Sequence, residues 1–248
     1  MLPRTPAFRI PILLIVMVAF FFSLSAEPRY KVPPYIKSIG IIVLDFHSYH
    51  LTAGGVDEYS ASLTERDTSQ LWRSVTSELQ TFGYDVKMLA CDTADTVFCA
   101  IEALYKTVRS EIEYHVYGDA PFDSVIASFD YTLGPVQDYC EKYGVDAFLF
   151  VSGFDETKTK LRRDVEKEAL AASIAGAVVG SLIGIGGGGI RLRDAYTCVN
   201  AGLVSKNGSL CWYKKVMDSG EININESQDA NTTASHLFES WPVERKKK

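Results

Sequence analysis

The sequence is poor in the residues and motifs that most often carry local catalytic chemistry. Its 248 residues include only 4 histidines and 5 cysteines. No serine or cysteine stands in a Gly-x-Ser-x-Gly elbow or another recognisable nucleophile setting. These absences exclude a local catalytic motif, although a triad assembled from distant residues is invisible in one sequence.

Positive charge is also scarce, with 25 lysines and arginines against 31 acidic residues and a net charge of -6. The one strong basic cluster ends the chain, and residues 243–248 are predicted to be a solvated tail. Because binding to a nucleic-acid backbone needs a basic face, this balance argues against non-specific nucleic-acid binding.

Residues 1–26 have the pattern of a signal peptide. Arg4 and Arg9 precede the apolar stretch 10–24, and small residues follow it. This stretch is shorter than the roughly 20 residues that span a bilayer, so a cleaved leader is favoured over an uncleaved anchor. The first cysteine is Cys91, which leaves no nearby thiol for lipid attachment. We therefore predict an exported, periplasmic protein that is soluble or membrane-associated and not lipid-anchored.

Apolar runs and helical spacings predict strands and helices in alternation. The run 39–44 is typical of a strand buried on both faces, and we expect it to be the central strand. The polar stretch 51–67, with Gly54 and Gly55, is predicted to be a long loop. The other predicted elements are helices from Thr68 or Ser69 to Thr81, over 94–116 and from Pro135 to Tyr143, and strands over 84–89 and 147–153.

Asn207 and Gly208 form a strong turn signal and predict a β-hairpin near the C-terminus. If they make a two-residue turn, Leu203 lies opposite Trp212 on the core face. The two strands would be 194–204 and 209–216, and a last helix is predicted within 228–241, where Leu237, Phe238 and Trp241 would dock on the domain.

Five cysteines in an exported chain allow disulfides but leave one cysteine over. Cys91 and Cys99 are the candidate pair, because they bracket a short connection between a predicted strand and a predicted helix. In the predicted hairpin Cys211 lies opposite Val204. Cys198 is then roughly 20 Å further along that strand at about 3.3 Å per residue, so we do not expect it to pair with Cys211.

These elements together predict an α/β (α+β) fold, in which helices cover a mixed β-sheet. A Gly-rich helical insertion, residues 163–190, precedes the C-terminal hairpin and a final short helix. The length of residues 27–242 suits one domain, and neither a linker nor a repeat is visible.

The insertion contains an uncharged run, residues 169–190, that has the pattern of a glycine zipper. Ala172, Gly176, Gly180 and Gly184 recur at every fourth residue and would line one stripe of a helix. Such a helix needs an apolar partner. Three alternatives remain open: packing on the domain's own sheet, contact with another subunit or a membrane, or a disordered connector.

Three segments resemble an uncharacterised family of exported bacterial envelope proteins: residues 51–58 (LTAGGVDE), 129–134 (FDYTLG) and 144–151 (GVDAFLFV) with the Gly-rich run that follows. The arrangement of strand 147–153 and a hairpin with residues 205–212 (SKNGSLCW) in its turn is also distantly similar to the α/β domain of the curli-secretion lipoprotein and the TolB N-terminal domain. The resemblance implies envelope assembly or accessory roles and no assigned reaction. The chain departs from the lipoproteins because it lacks their lipid-bearing cysteine.

Two weaker patterns bear on cofactors. Gly184, Gly186 and Gly189 match the spacing of the dinucleotide fingerprint, but they follow a predicted helix and lead into a strand. That context is opposite to the one the fingerprint needs, so we predict a connector and no nucleotide cofactor. Asp45, His47 and His50 could ligate a metal if the strand end and the loop curl together, but no further ligand is in view and solvated loop residues are the favoured interpretation.

The candidate polar site comprises Asp45 and His47 at the end of the first strand, with Asp57 and Glu58 beside the paired glycines. We expect a non-enzymatic envelope protein that acts through protein or membrane contacts, by self-association or by binding another envelope protein. The alternative is a periplasmic ligand-binding protein or hydrolase that uses the Gly54–Glu58 loop.

Overall fold

One long strand, β1 (Ser38–Leu51), organises the sheet. The first half of β1 is rich in isoleucine and is buried on both faces, which confirms the interpretation of its apolar run. Along one edge β1 pairs first with β3 (Asp85–Met88) in parallel and then with β2 (Asp57–Tyr59) in antiparallel orientation.

The structure, a computed structural model, describes residues 32–89, 95–117, 131–183, 192–220 and 222–242, with the backbone alone for Val97, Val116 and 175–183. The signal peptide, the basic tail, Cys91 and Gly184 lie outside these residues. The remaining elements are α1 (Ala61–Thr81), α2 (Thr96–Val116), α3 (Gln137–Tyr143), β4 (Ala147–Lys158), α4 (Lys160–Ile183), β5 (Tyr196–Ser205), β6 (Leu210–Ser219) and α5 (Ser227–Leu237).

The predicted mixed sheet covered by helices is confirmed. Its strand order is β2-β1-β4-β5-β6, with β3 paired to β1 beside β2. Strand β4 runs parallel to β1, whereas β5 and β6 are antiparallel to their neighbours. Helix α4 is the predicted insertion, because it leaves the sheet after β4 and the chain returns to it at β5.

Helices cover both faces of the sheet. On the back face, α1 contributes Leu71, Val75 and Leu79 to a core that also holds Trp212. The C-terminal helix α5 joins this core, and Leu237, Phe238 and Trp241 are buried there, as predicted. On the front face, α2 and α3 pack on the sheet through a second set of buried residues, which includes Phe98, Ile101, Tyr105, Tyr139, Phe148 and Phe150.

The long loop predicted for residues 51–67 is wrong, because most of this stretch is β2 and the first two turns of α1. Ser60 caps α1, and its side chain accepts a hydrogen bond from the Leu63 backbone N–H. Leu63 and Leu71 are buried on the same helix face. The other side chains of these turns are mostly exposed, so the segment has a polar composition although its one apolar anchor is buried.

The hairpin and its core register are confirmed, but the predicted two-residue turn is wrong. Leu203 lies opposite Trp212. The turn has three residues, ends at Gly208 with φ +85° and is closed by a hydrogen bond from the Gly208 N–H to the Ser205 carbonyl. Val204 consequently faces Leu210 and not Cys211, and a bulge at Cys211 restores the register.

Packing explains the longer turn. A Cβ at Gly208 would lie 1.7 Å from the Gly134 carbonyl oxygen, so only glycine fits this approach. The Leu133 N–H donates to the Gly208 carbonyl across the same contact. The turn is therefore built against the segment that precedes α3.

Candidate functional site in the outer half of the sheet

A β-bulge at Asp45 divides the sheet into two halves. Leu44 and Asp45 together oppose Ser152 of β4, and Asp45 has a φ of +44°, which is uncommon for a residue with a side chain. We call residues 38–44 of β1 and their partners the inner half, and residues 45–51 and their partners the outer half. Every residue of the predicted polar site lies in the outer half or beside it.

Asp45 forms an ion pair with a lysine of helix α2. The Lys106 Nζ lies 2.9 Å from its Oδ2 and 2.7 Å from Glu102 Oε1. Hydrogen bonds to Glu102 and Asp45 raise the pKa of Lys106. Beside this ion pair, Arg109 donates to the Ser152 hydroxyl, which donates to Asn200 Oδ1. The polar groups of the bulge thus fasten α2 to the boundary between the two halves.

His47 lies in a band of aromatic and apolar side chains on the front face of the outer half. His47, Tyr49 and Tyr59 form edge-on ring contacts with centroids 5.8 to 6.5 Å apart. His47 pairs across the sheet with Phe154, Phe154 with Cys198, and Cys198 with Met217. We define the aromatic band as His47, Tyr49, Tyr59, Phe154, Tyr196 and Met217, all of which are exposed or partly exposed.

The metal hypothesis needed Asp45, His47 and His50 to converge. The strand continues to Leu51, so alternation places His47 on the front face and His50 on the back face. Within the described parts of the chain, no group of three or more histidine, cysteine, aspartate or glutamate side chains is arranged to hold a metal ion.

Asp57 lies in an ion-pair network at the base of α4. Arg193 donates two hydrogen bonds, of 2.8 and 2.9 Å, to the Asp57 carboxylate and also pairs with Glu156. Lys158 bridges Glu166 of α4 and Asp194 of the returning chain, at 2.8 and 2.7 Å. We define the base network as Asp57, Glu156, Lys158, Arg162, Glu166, Arg193 and Asp194.

Arg162 is the buried centre of the base network. Its guanidinium donates to Glu166 at 2.9 Å and to the backbone carbonyls of Ala53 and Arg193. One side chain therefore joins the Gly54 turn, the first turns of α4 and the chain that returns from it. Burial opposes ionisation of Glu166, but hydrogen bonds from Lys158 and Arg162 lower its pKa.

The predicted polar site is not one constellation. Asp45 pairs with α2, His47 belongs to the aromatic band and Asp57 belongs to the base network. Glu58 is exposed on the edge strand β2, opposite His50. The Gly54 turn is closed on itself, because the Thr52 N–H donates to the Val56 carbonyl. The structure therefore distributes these four side chains over separate surfaces.

Two carboxylates that the sequence did not suggest are buried on the back face of the outer half. Asp155 accepts a 2.5 Å hydrogen bond from Thr197, and burial, the largest influence, raises its pKa to about 7. Burial also raises the pKa of Asp67 in α1, although the nearby Ser48 hydroxyl opposes the shift. Neither Asp67 carboxylate oxygen has a well-formed hydrogen bond within the described residues. Each acid therefore favours its protonated form more than a solvated aspartate does.

The described part of the glycine-zipper helix is exposed beyond its base. Leu161, Leu170 and Ile174 are 64%, 63% and 58% exposed, and Ala172 is also exposed. Gly176 and Gly180 lie in the backbone of α4. None of the helices in the described ranges is long and apolar enough to cross a membrane.

Three of the thiols in the described residues lie in the protein interior. Cys140, Cys198 and Cys211 are buried and unpaired, so the expectation that Cys198 and Cys211 do not pair is confirmed. Burial raises the pKa of all three thiols. Cys99 lies in α2, and its disulfide with Cys91 stays a prediction.

Sequence reasoning missed the two arginines, Arg162 and Arg193, and the buried acids. The sequence nevertheless holds a signal for the arginines and another for Asp67. Charges flank the uncharged run 169–190 on each side, and the ends of an excursion between adjacent strands must meet. Asp67 lies four residues from both Leu63 and Leu71, which places an acid in the apolar stripe of α1. The prediction of a loop in that region hid this signal.

Comparison with known proteins gives little. No protein-family model and no curated protein matches the chain. Among solved structures, the chain is similar to a subunit of the PelC dodecamer from Paraburkholderia phytofirmans, at 9% sequence identity over 87% of this chain and 94% of that one, with a TM-score of 0.37. The resemblance to a family of exported envelope proteins therefore stays a prediction.

Proposed function

We propose that this chain is an exported envelope protein that acts by contact, self-associating through helix α4, and that it catalyses no reaction. The exposure of Leu170 and Ile174 on α4 carries the proposal. A helix that presents leucine and isoleucine to water and continues into an uncharged sequence gains free energy, about 25 cal/mol per Å² of apolar surface, when a partner covers it.

The base network supports the same proposal. Arg162 and Lys158 hold the first turns of α4 against the sheet, so the apolar part of the helix projects from a fixed base. A fixed orientation lowers the entropic cost of binding, because less of the helix has to be ordered in the complex. The signal-like leader and the acidic composition support an exported protein without nucleic-acid partners.

The test begins with export. The full chain is expressed in a Gram-negative host, and the intact mass of the protein in the periplasmic fraction is measured. We expect the mature chain to start near Glu27. Retention of the full leader in the membrane fraction would overturn the cleavage prediction and favour the uncleaved anchor.

Self-association is then measured by size exclusion with light scattering, alone and with liposomes. We expect the wild type to form oligomers and Gly180→Leu to lose them, because leucine would block close approach along the stripe. Ala103→Leu places the same side chain at an exposed position of α2 and is the control. A wild type that stays monomeric at all concentrations would contradict the proposal, and a retained small molecule would favour the ligand-binding alternative.

A further inference from the structure

A row of polar side chains crosses the back face of the outer half. Ser48 of β1 lies opposite Asp155 of β4, and Asp155 lies opposite Thr197 of β5. Their exposed fractions are 0%, 0% and 2%, so the row lies in the protein interior. Because neighbouring strands are only about 4.8 Å apart, the Ser48 side chain is an immediate neighbour of the Asp155 carboxyl group.

A second carboxyl group, that of Asp67, reaches the same place from helix α1. The Ser48 N–H donates to the Thr64 hydroxyl and the Ser48 carbonyl accepts from the Ser60 N–H, each at 2.9 Å, so the start of α1 is docked on Ser48. Asp67 is fully buried; burial raises its pKa, and the Ser48 hydroxyl opposes the shift. Burial also raises the pKa of Asp155, and the charge of Asp67 adds to that shift. Both acids therefore lie beside the same serine.

Neither acid forms an ion pair with a basic side chain in the described ranges. The charged and titratable groups on the surrounding elements are His50 of β1, Arg66 of α1, Asp218 of β6 and His236 of α5. Burial outweighs Arg66 and His50, which lower the pKa of Asp67. Because two nearby carboxylates without a counter-charge repel each other in the interior, the pair retains a proton at a pH where solvated aspartates have lost theirs.

The two acids differ in how well the fold can hold their charge. Burial raises the pKa of Asp155, but hydrogen bonds from Thr197, Thr157 and the Ile224 backbone N–H oppose the shift. Neither carboxylate oxygen of Asp67 has a well-formed hydrogen bond within the described residues. An ionised Asp67 is therefore the costlier charge to keep in the interior.

The first two turns of α1 can leave the sheet without disturbing the rest of the helix. Among residues 61–67 only Leu63 and Asp67 are buried. On the C-terminal side, the fully buried Leu71 holds the remaining turns on the core, and on the N-terminal side an ion pair of the base network fixes β2. Opening of this short segment would bring Asp67 into water and expose a single buried apolar side chain.

We propose that Asp67 and Asp155 form a proton-controlled latch, which keeps the first two turns of α1 on the sheet while the pair retains a proton and opens them when both acids ionise. The proton passes to solvent, Asp67 moves into water, and Asp155 keeps the hydroxyl groups of its neighbours. Because the open form binds fewer protons than the closed form, rising pH shifts the equilibrium toward the open form. The latch shares no residue with α4, so it is independent of the proposed self-association.

Hydrogen exchange of the mature chain tests the latch through the amides of residues 64–67. We expect their protection factors, corrected for intrinsic exchange, to fall at least about tenfold from roughly pH 5 to pH 7, because an opening that releases a proton becomes more favourable as the pH rises. The amides of residues 75–79 should stay better protected at both pH values, since these turns do not open with the segment.

Four variants assign the effect. Asp67→Asn keeps the shape of the side chain that leaves the interior and should reduce the fall to less than about threefold. Asp155→Asn should make the fall smaller and end it at a lower pH, since Asp67 no longer faces a second charge. Glu65→Gln removes an exposed carboxyl group from the same two turns and is the matched control. It should behave like the wild type, and His50→Gln should keep most of the fall.

Infrared spectroscopy of the wild type gives a reading that does not depend on a variant's folding. At about pH 6 solvated aspartates are ionised, so a band of a protonated carboxyl group is expected from the buried pair. Absence of that band, equal protection of residues 64–67 and 75–79, or protection of residues 64–67 that is independent of pH would each overturn the latch. Loss of the pH dependence in His50→Gln, with the two aspartate variants unchanged, would assign the effect to the imidazole and overturn it too.

Discussion

The inner and outer halves of the sheet are built largely from the same strands, but they differ in what covers them and in which side chains they bury. In the inner half, β1 and β4 are apolar on both faces, and helices cover each face. In the outer half, one face buries Asp155 of β4 against Asp67 of α1, and the other face carries the partly exposed aromatic band. The comparison shows that the front-face side chains of a strand can change from a helix-covered core to a partly exposed surface at a single bulge, here at Asp45.

The difference is clearest between two rows of the front face. The inner row contains Phe150, which α2 covers through Tyr105. The outer row contains Phe154, which is partly exposed beside His47. Burial of apolar surface is the main source of folding free energy, so the inner row contributes more to stability than the outer row, whose apolar side chains stay partly in water.

The largest expected effect comes from truncating a phenylalanine at matched positions of the inner and outer rows. Phe150→Ala should lower the free energy of unfolding by about 3–5 kcal/mol, because it leaves a cavity beneath Tyr105. Phe154→Ala, on the same strand and face, should lower it by roughly 1 kcal/mol, since its ring is already partly in water. Urea unfolding followed by circular dichroism measures both, and equal losses would contradict the division into halves.

The second prediction concerns the buried acids of the outer half. The pKa of Asp155 is raised to about 7 in the folded state, above the unfolded value of 3.8. Its protonated form stabilises the fold fully below about pH 4, and this contribution is lost as the pH rises to about 7. At about 1.36 kcal/mol per pKa unit, the loss is at most about 4 kcal/mol.

Asp155→Asn removes this titration, so the variant should lose less stability than the wild type between pH 4 and 7. Asp67→Asn sharpens the test, because the Asp67 charge contributes to the raised pKa of Asp155. In that variant the fall in stability should be smaller and should end at a lower pH, because the folded-state pKa of Asp155 is lower while the unfolded value is unchanged. Unfolding free energies measured across this range would refute the assignment if the wild type and Asp155→Asn had parallel profiles.

The smallest expected effect is local and tests the base network. Arg162→Ala should lower the free energy of opening of the first turns of α4 by about 1–2 kcal/mol, because Glu166 and two carbonyls lose their donor. Arg163→Ala removes an exposed neighbour and should have little effect. Hydrogen exchange of residues 160–174 reports the difference, and equal exchange in the two variants would remove the role given to Arg162.

Much of the fold was predictable because its signals are local. The apolar run of β1, the stop of α3 at Gly144 with φ +62° and the Asn207 turn each depend on a few neighbouring residues. The start of α1 was missed, because its only buried apolar side chain in the first turn is Leu63. The stabilisation that Leu63 provides depends on the sheet it packs against.

The candidate site was less predictable. Asp45 and His47 were predicted at the end of the first strand, whereas β1 continues to Leu51. The partners of Asp45 and Asp57 are Lys106 and Arg193, which come from distant parts of the chain. Pairing between residues that are far apart in sequence depends on topology. No spacing rule within a single loop contains that information.

Periodicity, turn chemistry and composition were enough to specify the α/β class, the C-terminal hairpin and the helical insertion, because each arises from preferences of short segments. Only the tertiary structure decided that ion pairs and hydrogen bonds fix the first turns of α4, that Asp67 and Asp155 share a buried region and that the described side chains of the aromatic band are exposed or partly exposed. These features arise where strand order and register bring remote side chains together. Burial then sets the charge state of those side chains and how much apolar surface stays exposed.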